Sequence, residues 1–205
     1  MPESIGGQLI LASASPFRRK MLEAAGVQFE AVPADIDEAA LKRRLAGAAP
    51  RPGPAAVAEA LARAKAEAVA RNHPNSVVIG ADQVLALGDE LLDKPGSVAE
   101  ARAQLERLRG RTHTLHSAAV LAQGGRIVWT CVEAARLTMR QFSDEFLEGY
   151  LARAGTAVCR TVGAYEIEGA GVQLFERVEG DHFTIIGLPL LSLLAELRAR
   201  GVLPA

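Results

Sequence analysis

The chain has 205 residues, of which 49% are hydrophobic and 23% are charged, as in an ordinary globular protein. Its 23 Lys and Arg residues against 24 Asp and Glu give a net charge of −1. Proteins that bind DNA or RNA regardless of sequence usually carry a basic excess, so we expect no nucleic acid partner. No apolar run is long enough to span a membrane, and Cys131 and Cys159 lack metal-ligand spacing. We therefore expect a soluble cytoplasmic protein without membrane contact, in which both thiols are reduced.

A short strand and a helix are predicted early in the chain, joined by a serine-rich turn. Residues 8–12 are an apolar run typical of a buried strand, and residues 17–25 have helical spacing. Ser15 is a good N-cap, Pro16 a good first helical residue and Gly26 a good terminator. The sequence therefore predicts a strand, a tight turn and a helix in immediate succession.

Strands and helices interleave along the rest of the chain. Helices are predicted over 55–72, 98–108, 143–154 and 189–200, and a strand over 76–81 delivers Asp82 at its end. Further strands are predicted over 27–33, 113–122 and 126–139, with hairpins at Gly88-Asp89, Gly124-Gly125 and Gly180-Asp181. Because hairpins accompany the alternating pattern, we predict a mixed α/β sheet, in a single domain over residues 1–205.

The turn after the first strand has the features of a phosphate site. It reads Ser13-x-Ser15-Pro16-x-Arg18-Arg19 and opens a helix. A helix start exposes unpaired N–H groups and the positive end of the helix dipole, and both favour a bound anion. The serine hydroxyls add donors, and Arg18 can grip phosphate with two parallel hydrogen bonds. The alternative is a capped helix with two solvated arginines, and the spacing alone favours neither.

Three further side chains are candidates for chemistry on phosphate. Asp82 follows an apolar strand, and ligands gather at the carboxyl ends of strands in α/β sheets. Lys65 lies on an Ala-rich helix, and Lys94 lies in a turn that could hold it rigid. Taken singly, the spacing favours a turn aspartate and two solvated surface lysines without a role.

The acidic segment Asp35-x-Asp37-Glu38 could help to hold Mg²⁺, which prefers oxygen ligands. It also invites comparison with the Asp-x-Asp nucleophile of haloacid-dehalogenase phosphatases. That motif expects Thr or Val two residues after the second Asp, where this chain has Ala39. No Gly-x-x-x-x-Gly-Lys-Ser/Thr or complete Gly-x-Gly-x-x-Gly motif is present either. A monophosphatase of the haloacid-dehalogenase type therefore remains a minor hypothesis.

Seven ordered segments resemble the motifs of the Maf family of nucleotide pyrophosphatases. They are LASASPFRR at 11–19, IDE at 36–38, ARAKA at 62–66, GADQ at 80–83, DKP at 93–95, GAYEIEG at 163–169 and IGLPL at 186–190. The resemblance implies a fold like that of inosine-triphosphate pyrophosphatases, with an elongated twisted sheet flanked by helices and two lobes around a cleft. It also implies a homodimer that cleaves nucleoside triphosphates between the α- and β-phosphates with Mg²⁺ or Mn²⁺.

The resemblance also implies roles for individual residues. Asp82 would be the general base, Arg18, Lys65 and Lys94 would act on the phosphates, and Glu38 would join Asp82 near the metal. The substrate-binding residues implied are Ser13, Ser15, Phe17, Arg19, Gln83 and Glu168.

Three positions within these motifs bear on the base of the substrate. The branch acting on dTTP and UTP typically has Arg, Thr and Gln where this chain has Phe17, Gln83 and Glu168. The present set is similar to the branch acting on 7-methyl-GTP, which usually carries Trp at the first position. An aromatic face suits the positive ring of 7-methylguanine, and a carboxylate can accept hydrogen bonds from guanine N1–H and the exocyclic amine. We therefore predict 7-methyl-GTP as substrate, with a dTTP/UTP pyrophosphatase or a non-catalytic nucleotide-binding regulator of cell division as alternatives.

Overall fold

A computed structural model describes residues 8–204. The strands are β1 (Leu9–Ala12), β2 (Glu30–Ala31), β3 (Val77–Leu87), β4 (Glu90–Leu92), β5 (Thr112–Gln123), β6 (Arg126–Met139) and β7 (Phe175–Glu179). The helices are α1 (Pro16–Ala24), α2 (Glu38–Ala46), α3 (Pro54–Ala70), α4 (Val98–Leu108), α5 (Asp144–Ala154), α6 (His182–Ile186) and α7 (Leu190–Ala199). Short 3₁₀ turns lie at Gly155–Cys159, Val162–Ala164 and Ala170–Leu174. No helix within residues 8–204 is both long and apolar enough to cross a membrane.

The seven strands form one mixed sheet. Its order is β2-β1-β3-β5-β6-β7, with β4 paired to β3 outside that path. Strand β1 is parallel to β2 and β3, whereas the pairs β3–β5, β5–β6 and β6–β7 are antiparallel. The predicted mixed α/β sheet flanked by helices is therefore confirmed.

The predicted start of the chain agrees with the structure. Ser15 caps α1 by accepting a hydrogen bond from the Arg18 N–H at 3.4 Å, and Pro16 is the first helical residue. Gly26 follows the helix with a φ of 71°, a value that glycine adopts without strain. The chain therefore turns sharply from β1 into α1, and this turn becomes one wall of the cleft described below.

The prediction that a strand ends just before Asp82 was wrong. Strand β3 runs through this residue to Leu87, because β5 pairs with it continuously, including Asp82 with Ala118 and Gln83 with Ser117. Asp82 is only 6% exposed, but a charged residue interrupts the apolar pattern by which a buried strand is predicted. The sequence therefore suggested that the strand ends before it.

Two further predictions needed correction near the edges of the sheet. The hairpin expected at Gly180-Asp181 is absent, because Asp181 Oδ1 accepts a hydrogen bond from the Thr184 N–H at 3.0 Å and caps α6 instead. The strand predicted over 27–33 shrinks to Glu30–Ala31, the two residues that lie in register with Ile10 and Leu11 of β1.

Alternate residues of β3 face opposite sides of the sheet. Val78 and Val84 belong to the apolar cluster around α3, whereas Ile79 and Ala81 pack with α1 and α7. Asp82 therefore faces α3, and its neighbour Gln83 faces the opposite side.

Gly80 allows α3 to lie directly on β3. A Cβ atom at this position would lie 2.2 Å from the carbonyl oxygen of Ala62 and 2.7 Å from the Ala66 Cβ. Because Lys65 lies on the same helix face, within one turn of both alanines, this close approach carries its side chain to the strand.

We expect the substitution Gly80→Ala to destabilise the protein by about 1–3 kcal/mol, because the new methyl group overlaps backbone atoms that cannot rotate away. The free energy of unfolding in urea measures the effect. Gly149→Ala is the matched control, since a Cβ there on α5 meets open space and alanine is the better helix former. Equal stability of the two variants would show that α3 is free to shift away from β3.

Candidate active site

A cleft opens where β3 loses its parallel neighbour. Strand β1 ends at Ala12, opposite Gly80, and β4 begins to pair with the same side of β3 only at Leu85. The intervening stretch of β3, which contains Asp82, therefore borders an opening of about 630 Å³. The polar residues that line this cleft are Ser13, Ser15, Arg18, Glu38, Lys42, Lys65, Asp82, Gln83, Asp93, Lys94, Cys159, Arg160 and Thr161.

Lys65 joins two carboxylates at the floor of the cleft. Its Nζ lies 2.5 Å from Asp82 Oδ1 and 2.8 Å from Glu38 Oε1. Lys65 and Asp82 are 9% and 6% exposed, so their charges are screened by water far less than those of a surface pair. Burial opposes the ionisation of Glu38, but the hydrogen bond and charge of Lys65, together with the charges of Lys42 and Lys94, outweigh it and lower the Glu38 pKa. Both carboxylates thus point toward one cation position.

Arg18 forms a second buried cation on the opposite wall. Its Nε donates to the Gly187 carbonyl oxygen at 2.9 Å, and its Nη1 lies 3.3 Å from Ser13 Oγ. Burial lowers the Arg18 pKa, an effect that the charges of Asp82 and Glu38 partly offset. Within residues 8–204 no ion pair involves Arg18, which leaves its charge available for a ligand.

Two lysines stand nearer the mouth of the cleft. Partial burial and the neighbouring charges of Arg18 and Lys65 lower the pKa of Lys94, while Asp82 and Glu38 oppose the shift. Lys42, one helical turn after Glu38, forms an ion pair with Asp93 in the loop before α4. These lysines extend the positive charge from the floor of the cleft toward solvent.

The turn between β1 and α1 supplies polar groups to the same cleft. Ser13 is 5% exposed, and its Oγ accepts a hydrogen bond from the Ser15 N–H at 3.2 Å. The amino end of α1 therefore faces the cleft with its hydroxyl groups and its positive dipole end. A phosphate chain has donors here on one side and the cations of α2 and α3 on the other.

A smaller apolar side cavity continues from the cleft. The two share Phe17, Gln83, Thr161, Val162 and Ile186. The remaining residues that line the side cavity are Leu115, Tyr165, Glu166, Ile167, Glu168 and Ile185. Its only charged lining residues are carboxylates, in contrast to the cationic cleft beside it.

The side-chain amide nitrogen of Gln83 is hydrogen-bonded to other groups of the protein. Its Nε2 lies 3.0 Å from Ser117 Oγ and 3.1 Å and 3.0 Å from the carbonyl oxygens of Thr184 and Ile185. Glu168 stands at the rim, half exposed, with Oε1 3.6 Å from His182 Nε2. The Gln83 amide nitrogen is therefore engaged within the protein, whereas the Glu168 carboxylate is open to solvent at the rim.

The structure brings all but one of the predicted site residues to the cleft or its side cavity. The exception is Arg19, which is exposed and lines a separate hollow on the outer side of α1 with Glu23 and Phe29. Lys42, Arg160 and Thr161 also line the cleft but were not identified from the sequence. Lys42 could have been found from its four-residue spacing after Glu38, which places both on one helix face.

The carboxylates fit a divalent cation, although they form a small ligand set. In the described part of the chain no three His, Cys, Asp or Glu side chains cluster as metal ligands. Mg²⁺, however, often uses only one or two carboxylates and completes its shell with water and substrate phosphates. Glu38 and Asp82 already place one oxygen each within 2.8 Å of a shared cation, the Lys65 ammonium group.

Together these features define a protein with a phosphate-binding cleft and an adjoining apolar, anionic cavity. Residues 8–200 match the family described as Maf-like protein, and the chain belongs to that family.

Curated relatives match almost the whole chain. A 7-methyl-GTP pyrophosphatase from Rhizobium etli is 50% identical over 96% of this chain and 98% of its own. A nucleoside triphosphate pyrophosphatase from Paramagnetospirillum magneticum is 53% identical over 95% of this chain and 99% of its own. The solved structure of a dITP/XTP pyrophosphatase from Mycobacterium abscessus aligns with 96% of this chain and 98% of its own at 16% identity, with a TM-score of 0.42.

We expect a pH dependence of stability from His113, which lies beneath the side cavity. Its Nε2 is 2.7 Å from the Tyr165 hydroxyl, and burial lowers its pKa from 6.5 to about 4. Between these two values the unfolded chain binds the proton and the folded chain does not. Stability is therefore full above pH 6.5 and falls as the pH falls toward 4.

His113→Phe should make the loss of stability between pH 7 and pH 4.5 smaller by about 2 kcal/mol. Urea unfolding at the two pH values measures it. The variant His73→Gln, in the loop before β3, should keep the wild-type dependence. If His113→Phe left the pH dependence of stability unchanged, groups other than His113 would bind the protons taken up on unfolding.

Proposed function

We propose that this chain hydrolyses nucleoside triphosphates to the monophosphate and pyrophosphate, and that it prefers 7-methyl-GTP. The names of the relatives at about half identity support the reaction. The same family resemblance supports a cytoplasmic homodimer whose protomers are single domains over residues 1–205.

The separation of charge between the two cavities carries the proposal. Five Lys and Arg side chains and three carboxylates line the cleft, whereas two carboxylates and no cation line the side cavity. 7-Methyl-GTP has the matching pattern, since its triphosphate is anionic and its methylated base is cationic. An uncharged base would lack the attraction between opposite charges that the carboxylates of the side cavity offer.

Phe17 and Glu168 both line the side cavity, where they would contact this base. The Phe17 ring lines both cavities, so it can stack on the methylated ring while the phosphates lie in the cleft. The Glu168 carboxylate can accept hydrogen bonds from the two N–H donors on the guanine edge. Uracil and thymine offer one such donor, which gives a physical basis for discrimination.

The phosphate chemistry requires a base and a set of cations. A water oxygen attacks the α-phosphorus, the bond to the bridging oxygen breaks, and pyrophosphate leaves with the electron pair. In this reaction Asp82 takes the proton of that water. Arg18, Lys65 and Lys94 stabilise the negative charge that gathers on the leaving pyrophosphate. Glu38 and Asp82 would hold Mg²⁺ or Mn²⁺, which supplies Lewis acidity toward phosphoryl oxygens.

Product analysis with 7-methyl-GTP, GTP, UTP and dTTP in the presence of Mg²⁺ or Mn²⁺ tests the reaction. We expect pyrophosphate and monophosphate in equal amounts, released fastest from 7-methyl-GTP. Asp82→Asn should lower kcat by about 10²–10⁴-fold, because the amide cannot accept the proton. Circular dichroism should show an intact fold, since Lys65 keeps its ion pair with Glu38.

Each of the other outcomes would indicate a different function for this chain. Faster release from UTP or dTTP would retain the reaction and reject the proposed base. Free phosphate as the only product would indicate a monophosphatase. No release from any nucleotide, with binding retained, would favour a regulator that does not need catalysis.

Glu168→Gln should reduce the preference for 7-methyl-GTP over UTP by about tenfold, because a neutral amide does not attract the cationic base and replaces one of the two acceptor oxygens with a donor. The ratio of kcat/KM values for the two substrates measures this preference. Glu176→Gln on the exposed face of β7 is the control and should leave the ratio unchanged. An unaltered ratio in Glu168→Gln would show that this side chain does not recognise the base.

A further inference from the structure

Arg18 is oriented by neutral oxygen atoms rather than by a carboxylate. Its Nε donates to the Gly187 carbonyl oxygen at 2.9 Å, and its Nη1 contacts Ser13 Oγ. Gly187 ends α6, at a φ of 125° that favours glycine. The direction of the guanidinium group therefore depends on where α6 holds this carbonyl.

Helix α6 has only five residues, too few to hold itself in place. Polar side chains from three strands fix its position. Gln83 Nε2 on β3 reaches the carbonyl oxygens of Thr184 and Ile185, and Ser117 Oγ on β5 donates to the same Thr184 oxygen at 2.7 Å. Glu133 on β6 accepts a hydrogen bond from Thr184 Oγ1, also at 2.7 Å.

Thr184 is the centre of this network. The residue is fully buried, and its hydroxyl, carbonyl oxygen and N–H are all hydrogen-bonded, the last to Asp181 Oδ1. Ser117 is also fully buried. Because an unpaired polar group in such a place costs free energy, the network favours a single position of α6.

We propose that Thr184 is a positioning residue for Arg18. Its hydroxyl, bound to Glu133, holds α6 so that the Gly187 carbonyl directs the guanidinium group into the cleft. This inference rests on the proposed function, in which Arg18 stabilises the departing pyrophosphate. A small displacement of such a group is costly, because catalysis depends on donors aimed at the developing charge.

Thr184→Val tests the inference, since valine keeps the shape of the side chain and removes the hydroxyl. We expect kcat for 7-methyl-GTP with Mg²⁺ to fall on the order of tenfold, and Thr184→Ser, which keeps the hydroxyl, to restore it. Thr138→Val is the matched control. It removes one hydroxyl pair, with Thr112, from the same strand as Glu133 but does not touch α6, and should leave kcat unchanged.

A double-mutant cycle with Arg18→Lys separates positioning from general damage. Lysine lacks the planar fork that lets one group bind Gly187 and a phosphate together. If Thr184 acts through Arg18, Thr184→Val should cost little further activity in the Arg18→Lys background. An equal fold-loss in both backgrounds would overturn the inference, as would full activity of Thr184→Val.

The proposed function fails in a distinguishable way. If the wild-type chain releases no pyrophosphate from any nucleotide, the function assigned to the cleft is wrong, and a positioning role in that reaction falls with it. If Arg18→Lys releases pyrophosphate at the wild-type rate, the function stands, but the geometry of the guanidinium group does not matter and the positioning role is wrong. If Arg18→Lys is impaired and Thr184→Val is not, the function stands and the positioning role is wrong.

Discussion

The contact between α3 and β3 at Gly80 is the constraint on which the site depends. Without a Cβ at this position the helix lies on the strand at backbone distance, and Lys65 reaches Asp82 with its Nζ at 2.5 Å. The same ammonium group then meets Glu38 from α2, a helix without any fully buried residue. One missing methyl group therefore determines where three charged side chains from separate elements converge.

Strand β3 links both walls of the cleft because consecutive residues point to opposite faces. Asp82 faces α3 and Lys65, while Gln83 faces α6, and the carbonyl of Gly187 just after α6 accepts a hydrogen bond from Arg18. Strand β3 therefore determines the positions of both Asp82 and Arg18, although about sixty residues of chain separate them. This strand is paired with β5 on one side, while β1 and β4 leave a gap on the other. The gap provides access and the pairing provides rigidity.

Local signals in the sequence predicted the turn after β1 and five of the helices in residues 8–204, but they missed α2 and α6. Ser15, Pro16 and Gly26 act within a few residues of chain, so their effect on α1 does not depend on the rest of the fold. The continuity of β3 could not be predicted in the same way, because pairing with β5 overrides the polar residues at its centre. The place of Arg19 was equally hidden, since adjacent residues on a helix point about 100° apart and only the fold decides which one faces the cleft.

The family motifs include most of the residues that line the cleft, but they did not indicate which other residues hold them in place. None of the family motifs contains the three residues that hold α6, which are Thr184, Ser117 and Glu133. Their importance arises only from the packing of α6 on the sheet. The packing of α6 matters because it sets the direction of the Arg18 side chain. Arg18 is a buried cation without an ion pair among residues 8–204, which lowers the stability of the folded chain. Its lowered pKa reflects the cost of removing water from it. Neutral oxygens fix the direction of the group without neutralising its charge, so a phosphate that enters the cleft supplies the missing anion.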